Sequence, residues 1–150
     1  MRVVIQRVSK ASVSIESKIV SEINAGLLIL LGIEIEDTKE DSLWLANKLA
    51  QLRIFSDSEG KMNNSILDID GEVIVVSQFT LHAKTKKGNR PSYINAARQE
   101  QAIPLYKQFK KDLSKLISKE IRSGEFGAEM KVSLTNDGPV TIIIDTKNKE

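Results

Sequence analysis

Apolar positions along the chain recur at two periods. Near the start the period is two: Val3, Ile5 and Val8 stand among polar Gln6 and Arg7, and Ser12-Val13-Ser14-Ile15-Glu16 alternates cleanly. These segments predict a first and a second strand, the second half-buried. Ser17-Lys18 predicts a tight turn into Ile19–Ile23, and Asn24-Ala25-Gly26 breaks the chain. Leu27 to Ile33 is almost wholly apolar, which predicts a central strand covered on both faces. The period then lengthens. Leu45, Leu49 and Leu52 fall at i, i+4 and i+7, behind Thr38 as cap with Asp41 three residues on. That predicts a helix over about 38–52, with Trp44 in the core. Extended structure resumes at Leu52-Arg53-Ile54-Phe55, followed by a turn at Asp57–Gly60 and a polar, irregular Asn63-Asn64-Ser65. Asp68–Glu72 reads as a hairpin loop leading into Val73-Ile74-Val75-Val76, a buried strand.

Ala102, Leu105, Phe109, Leu113 and Leu116 predict a second, longer helix. Pro104 is expected in its first turn, where a missing N–H costs nothing. Lys107, Lys110, Lys111 and Lys115 are expected on its solvated face. Ile121–Phe126 predicts an extended piece ended by Gly127, and Met130–Leu134 alternates as a strand. Asn136–Pro139 reads as a turn, Val140–Ile144 as the last strand, and 146–150 as a frayed polar tail. The total is seven or eight strands and two helices, without an internal repeat or regular βαβ alternation. The pattern predicts a single α/β domain over 1–150, with a mostly antiparallel or mixed sheet and both helices on one face.

Composition narrows the chemistry. The 150 residues include no cysteine and one histidine, His82. Disulfides, thiolate nucleophiles and cysteine-based zinc sites are excluded, and any histidine chemistry rests on one side chain. Neither G-x-x-x-x-G-K-[ST] nor G-x-G-x-x-G occurs, which argues against nucleotide hydrolysis and a dinucleotide cofactor. The start has no signal-peptide layout and no apolar run is long enough to span a bilayer, so the expected location is the cytoplasm. The carboxylates of Glu34–Asp37 and Asp68–Asp70 lie in loops, where acids are ordinary. The net charge of +2 is a weak lean toward polyanions. Its distribution says more: Lys84, Lys86, Lys87 and Arg90 fall within one short loop. By itself that is a solvated loop; beside a site it receives phosphates.

Two stretches carry the candidate chemistry. Ser77-Gln78-Phe79-Thr80-Leu81-His82-Ala83 places polar groups at the end of a buried strand, where they are either structural hydrogen-bonders or the lip of a site. Asn136-Asp137-Gly138-Pro139-Val140-Thr141 holds a Gly-Pro step between strand-like runs. Thr80 acts as a nucleophile only if some group takes its proton, and no base is apparent. A lone histidine such as His82 is more often structural than catalytic.

Together these stretches resemble the D-aminoacyl-tRNA deacylase family, formerly D-tyrosyl-tRNA deacylase, over essentially the whole chain. The likeness runs from Met1–Val8 through Gly26-Leu27-Leu28, Leu52–Phe55 and Gly60–Asn63 to the two signatures above. Phe126–Met130 and Gly88–Ser92 also fit, while His82 stands where the family usually carries tyrosine. The resemblance implies a sheet curled toward a barrel with two helices packed on one face. No cofactor and no metal is expected, and the resemblance implies a homodimer in which a cis Gly138-Pro139 loop enters the partner's pocket beside Ser77, Gln78, Phe79 and Thr80. Arg7 matches the position that helps fix the loop, and Phe126 and Met130 match pocket-lining residues.

The implied reaction is hydrolysis of the ester joining a D-amino acid, or glycine mischarged on tRNA-Ala, to the terminal adenosine of tRNA. L-amino acids are rejected by a clash with the Gly-Pro carbonyls. The ester is already activated, so positioning and backbone N–H groups near Phe79 and Thr80 suffice. The ribose 2′-hydroxyl then assists, which accounts for the absence of a triad. Lys84 to Arg90 become candidates for holding the acceptor end of tRNA. One rival reading is a related branch of the superfamily that removes a mischarged L-amino acid and carries a trans Gly-Pro step; the second is a non-catalytic nucleic-acid-binding module, and no membrane and no DNA partner is expected.

Overall fold

A computed structural model describes all of residues 1–150. Its frame is a mixed sheet in the order β2-β1-β3-β6-β7, with β8 along the other side of β1. The central member is β1 (Arg2–Ile15), one strand where the alternation predicts two. Exposed Ser9 and Lys10 interrupt the apolar pattern, and the register with β8 shifts there, but the strand continues through them. One edge of β1 pairs first with β3 (Gly26–Gly32) and then with β2 (Lys18–Ile23); the other pairs along its length with β8 (Lys131–Asp145). The turn into β2 is made by Glu16 and Ser17, both at positive φ, one residue earlier than expected.

Beyond β3 the sheet is parallel. β6 (Glu72–Ser77) runs alongside β3, and β7 (Arg122–Ser123) alongside β6. Parallel neighbours need long crossovers. The first contains α1 (Lys39–Ala50) and a two-stranded ribbon of β4 (Phe55–Ser56) and β5 (Met62–Asn64); the second contains α2 (Gln99–Ile117). Asp68–Glu72 is therefore a link between two sheets and not a hairpin, although Asp70 does take positive φ. The extended piece expected at Ile121–Phe126 shrinks to Arg122–Ser123, and the rest becomes a loop.

Alternation along the strands feeds two cores. Val3, Ile5, Leu27, Ile29, Val73 and Val75 face both helices, meeting Leu45, Leu49, Phe109 and Leu113. On the opposite face Val8, Val13, Ile23, Leu28, Ile74 and Val76 form a second core, with Met130, Val132 and Leu134 packed against it. The Ser21 hydroxyl donates to the Ser123 carbonyl, tying β2 to β7 across that second core. The sheet thus curls toward closure with the helices on one outer face, as the family likeness implied.

Three further expectations give way. Pro104 is the sixth residue of α2 and not in its first turn, because the helix is entered earlier, with the Ala102 N–H already bonded to the Arg98 carbonyl. Lys110 is half-buried against the Tyr106 ring and donates to the Ser123 hydroxyl at 2.8 Å, instead of standing in solvent. The tail is tied down through 149. Thr146 is buried and bonds Met1, Lys147 reaches Asp41 at 2.9 Å, and Lys149 lies over Trp44. No helix is long and apolar enough to cross a membrane.

Candidate active site

β6 ends at Ser77, and the chain turns at once into a single 3-10 turn, Phe79–His82. The Gln78 N–H still bonds the Leu31 carbonyl at 2.8 Å, so the entry to the turn is fixed by the sheet. Phe79 and Thr80 open the turn, and the first N–H groups of a helical turn have no acceptor within it. Beside this point lies a cavity of about 670 Å³. Its floor is Leu31, Ile33 and Val76; Ser77, Gln78 and Phe79 form one side; Phe126, Gly127, Ala128, Met130 and Val132 form the other. The remaining rim is the start of α2, from Ala97 to Ala102, with Arg98 and Glu100 its only charged members.

The structure thus brings Ser77, Gln78, Phe79, Phe126 and Met130 to one cavity. Thr80 lies next to it and outside its lining, its hydroxyl accepting a hydrogen bond from the Gln78 side-chain amide. An amide N–H donor cannot take a proton from that hydroxyl. His82 is buried, off the cavity, with its Nε2 unpartnered. It packs on Gly32, where a Cβ would come to 3.0 Å of the ring.

Arg7 and the Gly-Pro step form a separate unit. Asn136–Pro139 is not a hairpin turn: β8 runs straight through it, and Asp137 to Val140 bulge out opposite Arg7 alone. The Arg7 guanidinium pins the bulge from inside. Its Nε donates to the Asp137 carbonyl at 3.1 Å, and its Nη1 to the Ile54 carbonyl at 2.7 Å. Gly138 has φ +125°, and a Cβ there would come 2.9 Å from Nη2 of Arg7, so both backbone and space call for glycine. The Gly138–Pro139 peptide is cis. Both residues are exposed and neither lines the cavity of its own chain, so one protomer does not join the two signature stretches into one site.

Lys84, Lys86, Lys87 and Arg90 are all exposed, in the loop that leaves the 3-10 turn and returns through the Lys84–Ser92 bridge. None of the four forms an ion pair within the chain. Tyr93, just after the loop, meets exposed Phe79 edge-on at 5.0 Å.

Sequence reasoning missed the α2 wall, Ala97 to Ala102. Nothing in its pattern distinguishes it from any other helix start. It also missed Tyr106. That ring packs edge-on against Phe126 at 5.6 Å, and its hydroxyl bonds the Val75 carbonyl at 2.7 Å. Burial pushes the Tyr106 hydroxyl up to about 12, so it stays a hydrogen-bond donor. Burial, reinforced by repulsion from Lys107, lowers the Lys110 ammonium from its usual value.

A curled mixed sheet with a largely apolar pocket and a polar strand end at its mouth defines a small α/β protein with one candidate ligand site. The chain belongs to the D-Tyr-tRNA(Tyr) deacylase family, whose model matches residues 4–145. It is 63% identical to a D-aminoacyl-tRNA deacylase of Bacteroides fragilis over 150 residues, all of both chains. A D-aminoacyl-tRNA deacylase of Flavobacterium psychrophilum is also 63% identical over the full length of both. Among solved structures, a c-Myc DNA unwinding element binding protein superposes with a TM-score of 0.91 at 40% identity, covering 97% of this chain and 98% of that one. A probable eukaryotic D-amino acid tRNA deacylase, at 16% identity and a TM-score of 0.81 over 95% and 97%, shares the fold.

Proposed function

We propose that this protein hydrolyses the ester of D-aminoacyl-tRNA, releasing tRNA and the free D-amino acid, and leaves L-aminoacyl-tRNA intact. Family membership supports the reaction class. The observation that carries the chemistry is the sparse pocket mouth, where Ser77, Gln78 and Phe79 stand with no general base beside Thr80. An aminoacyl ester suits such a site because it needs placement and oxyanion stabilisation more than a strong base. Phe79 and Thr80 offer N–H groups to the developing oxyanion, and the 2′-hydroxyl of the terminal ribose supplies the assistance the protein lacks. In this reading the working unit is a homodimer. The exposed Gly138-Pro139 loop, braced by Arg7, enters the partner's pocket, where its carbonyls clash with an L side chain. Lys84, Lys86, Lys87 and Arg90 hold the acceptor strand, and glycine mischarged on tRNA-Ala is a further substrate.

The test is a paired deacylation assay with one tRNA charged with D-tyrosine and, separately, with L-tyrosine. Loss of the D ester and survival of the L ester is the expected outcome. Loss of both removes the proposed L-rejection. Survival of both removes the deacylase and favours a second reading, a nucleic-acid-binding protein, which the likeness to the DNA unwinding element binding protein supports. That reading predicts tight, salt-sensitive binding of nucleic acid without hydrolysis.

A further inference from the structure

We infer that Gly124 sets the width of the pocket by giving Met130 room to lie back against the second core; this rests on the deacylase reading of the same pocket. Gly124 follows β7 and does not line the cavity; Met130 does. Gly124 does not lie at positive φ, so the left-handed region does not explain the glycine. Space does. A Cβ built on Gly124 would overlap the Met130 sulfur, and it would come 3.1 Å from a Val13 methyl on its other side. Val13 is fully buried and cannot retreat. Methionine is the part that yields, having three rotatable bonds and an adaptable thioether. Met130 packs on the second core on one side and lines the cavity on the other, so a side chain pushed off Gly124 and Val13 is displaced toward the cavity. Gly124 is thus a positioning residue acting through Met130, and even one methyl there narrows the pocket.

The experiment compares wild type, Gly124→Ala, Met130→Ala and the double variant. With D-tyrosyl-tRNA, Gly124→Ala is expected to raise KM about ten-fold, the scale for one misplaced methyl in an apolar pocket, with kcat little changed. The double variant, in which the displaced side chain is gone, is expected to recover the KM of Met130→Ala alone. An unchanged KM in Gly124→Ala, or a double variant no better than Gly124→Ala, overturns the inference, the latter by showing that the methyl distorts the loop itself. A second readout needs no substrate. The chain has three methionines, so a methyl-labelled spectrum holds three signals. The Met130 methyl is expected to shift in Gly124→Ala and to gain contacts with Phe126, while Met1 and Met62 stay in place; an unmoved Met130 signal sinks the inference. A wild type inactive on every aminoacyl ester overturns the proposed function and leaves this spectral test decisive.

Discussion

At the scale of single residues, Thr80 and Arg7 separate the two candidate stretches by how each is held. The Thr80 hydroxyl accepts from Gln78 and has no base beside it. Thr80→Ala should therefore slow D-ester hydrolysis by about ten-fold or less, the loss of one neutral hydrogen bond and its orientation. A nucleophile would cost several orders of magnitude more. A substrate ending in 2′-deoxyadenosine should lose far more than Thr80→Ala does; equal rates for the ribose and deoxyribose esters would remove the RNA-assisted step. Arg7 holds two carbonyls from one buried guanidinium. Arg7→Ala leaves the Ile54 carbonyl unpaired and frees the bulge. It should lower stability by about 1–3 kcal/mol, read as a denaturant midpoint, and should reduce discrimination between D and L esters more than it reduces turnover.

At the scale of elements, α1 and the chain terminus are clamped by Asp41. Its carboxylate accepts from the Thr38 N–H at 2.9 Å and the Thr38 hydroxyl at 3.0 Å, and pairs with Lys147 at 2.9 Å. Burial alone would raise the carboxyl, but the hydrogen bonds from Lys147 and the Thr38 backbone outweigh it and hold it far below the usual aspartate range. A depressed folded-state value means that the stabilisation is complete above the ordinary aspartate range, near about pH 4. It is lost as pH falls through the lower folded value. Acid unfolding followed by far-UV circular dichroism should show this component in wild type and lose it in Asp41→Asn. Indistinguishable acid limbs would mean that Asp41 adds nothing. The strand end is the counterpart of this clamp. β6 delivers Ser77 and Gln78 to the pocket because its pairing with β3 continues to the last residue, Leu31 opposite Ser77.

At the scale of the whole molecule, one chain keeps two surfaces apart: the pocket beside Ser77–Phe79 and the exposed Gly138-Pro139 bulge. If the bulge completes a partner's pocket, two differently disabled protomers should rescue each other. Pro139→Ala should hydrolyse the L ester as well as the D ester, and mixing it one to one with Gln78→Ala, whose pocket is disabled but whose bulge is intact, should regain about half of the lost L-rejection, because half of the Pro139→Ala pockets in randomly paired dimers face an intact bulge. No recovery after subunit exchange would place pocket and bulge in the same protomer's function or in none. The basic loop is tested at the same scale. Lys86→Glu with Lys87→Glu should weaken tRNA binding and flatten its salt dependence by about two charges' worth; an unchanged salt slope would leave the loop a solvated surface.

Much of this was legible along the chain because the relevant forces are local. Alternation in Ser12–Glu16, the apolar run Leu27–Ile33 and the spacing of Leu45, Leu49 and Leu52 each report which side of an element meets a core, and the structure honours them. Ser77–Thr80 stood out because polar groups at the end of a buried strand must find partners. Pairing partners were not legible. Whether Val73–Val76 joins a hairpin or a parallel neighbour depends on where a distant crossover returns the chain. Likewise Asn136–Pro139 looks like a turn until an unbroken β1 pairs on both sides of it and forces it into a bulge. The α2 wall of the pocket, the Tyr106 ring behind Phe126 and the space at Gly124 exist only once remote segments are packed together. Sequence by itself determined the elements, their buried faces and the family. Tertiary structure decided which elements pair, what lines the pocket and where the Gly-Pro bulge points, because those depend on contacts between residues far apart in the chain.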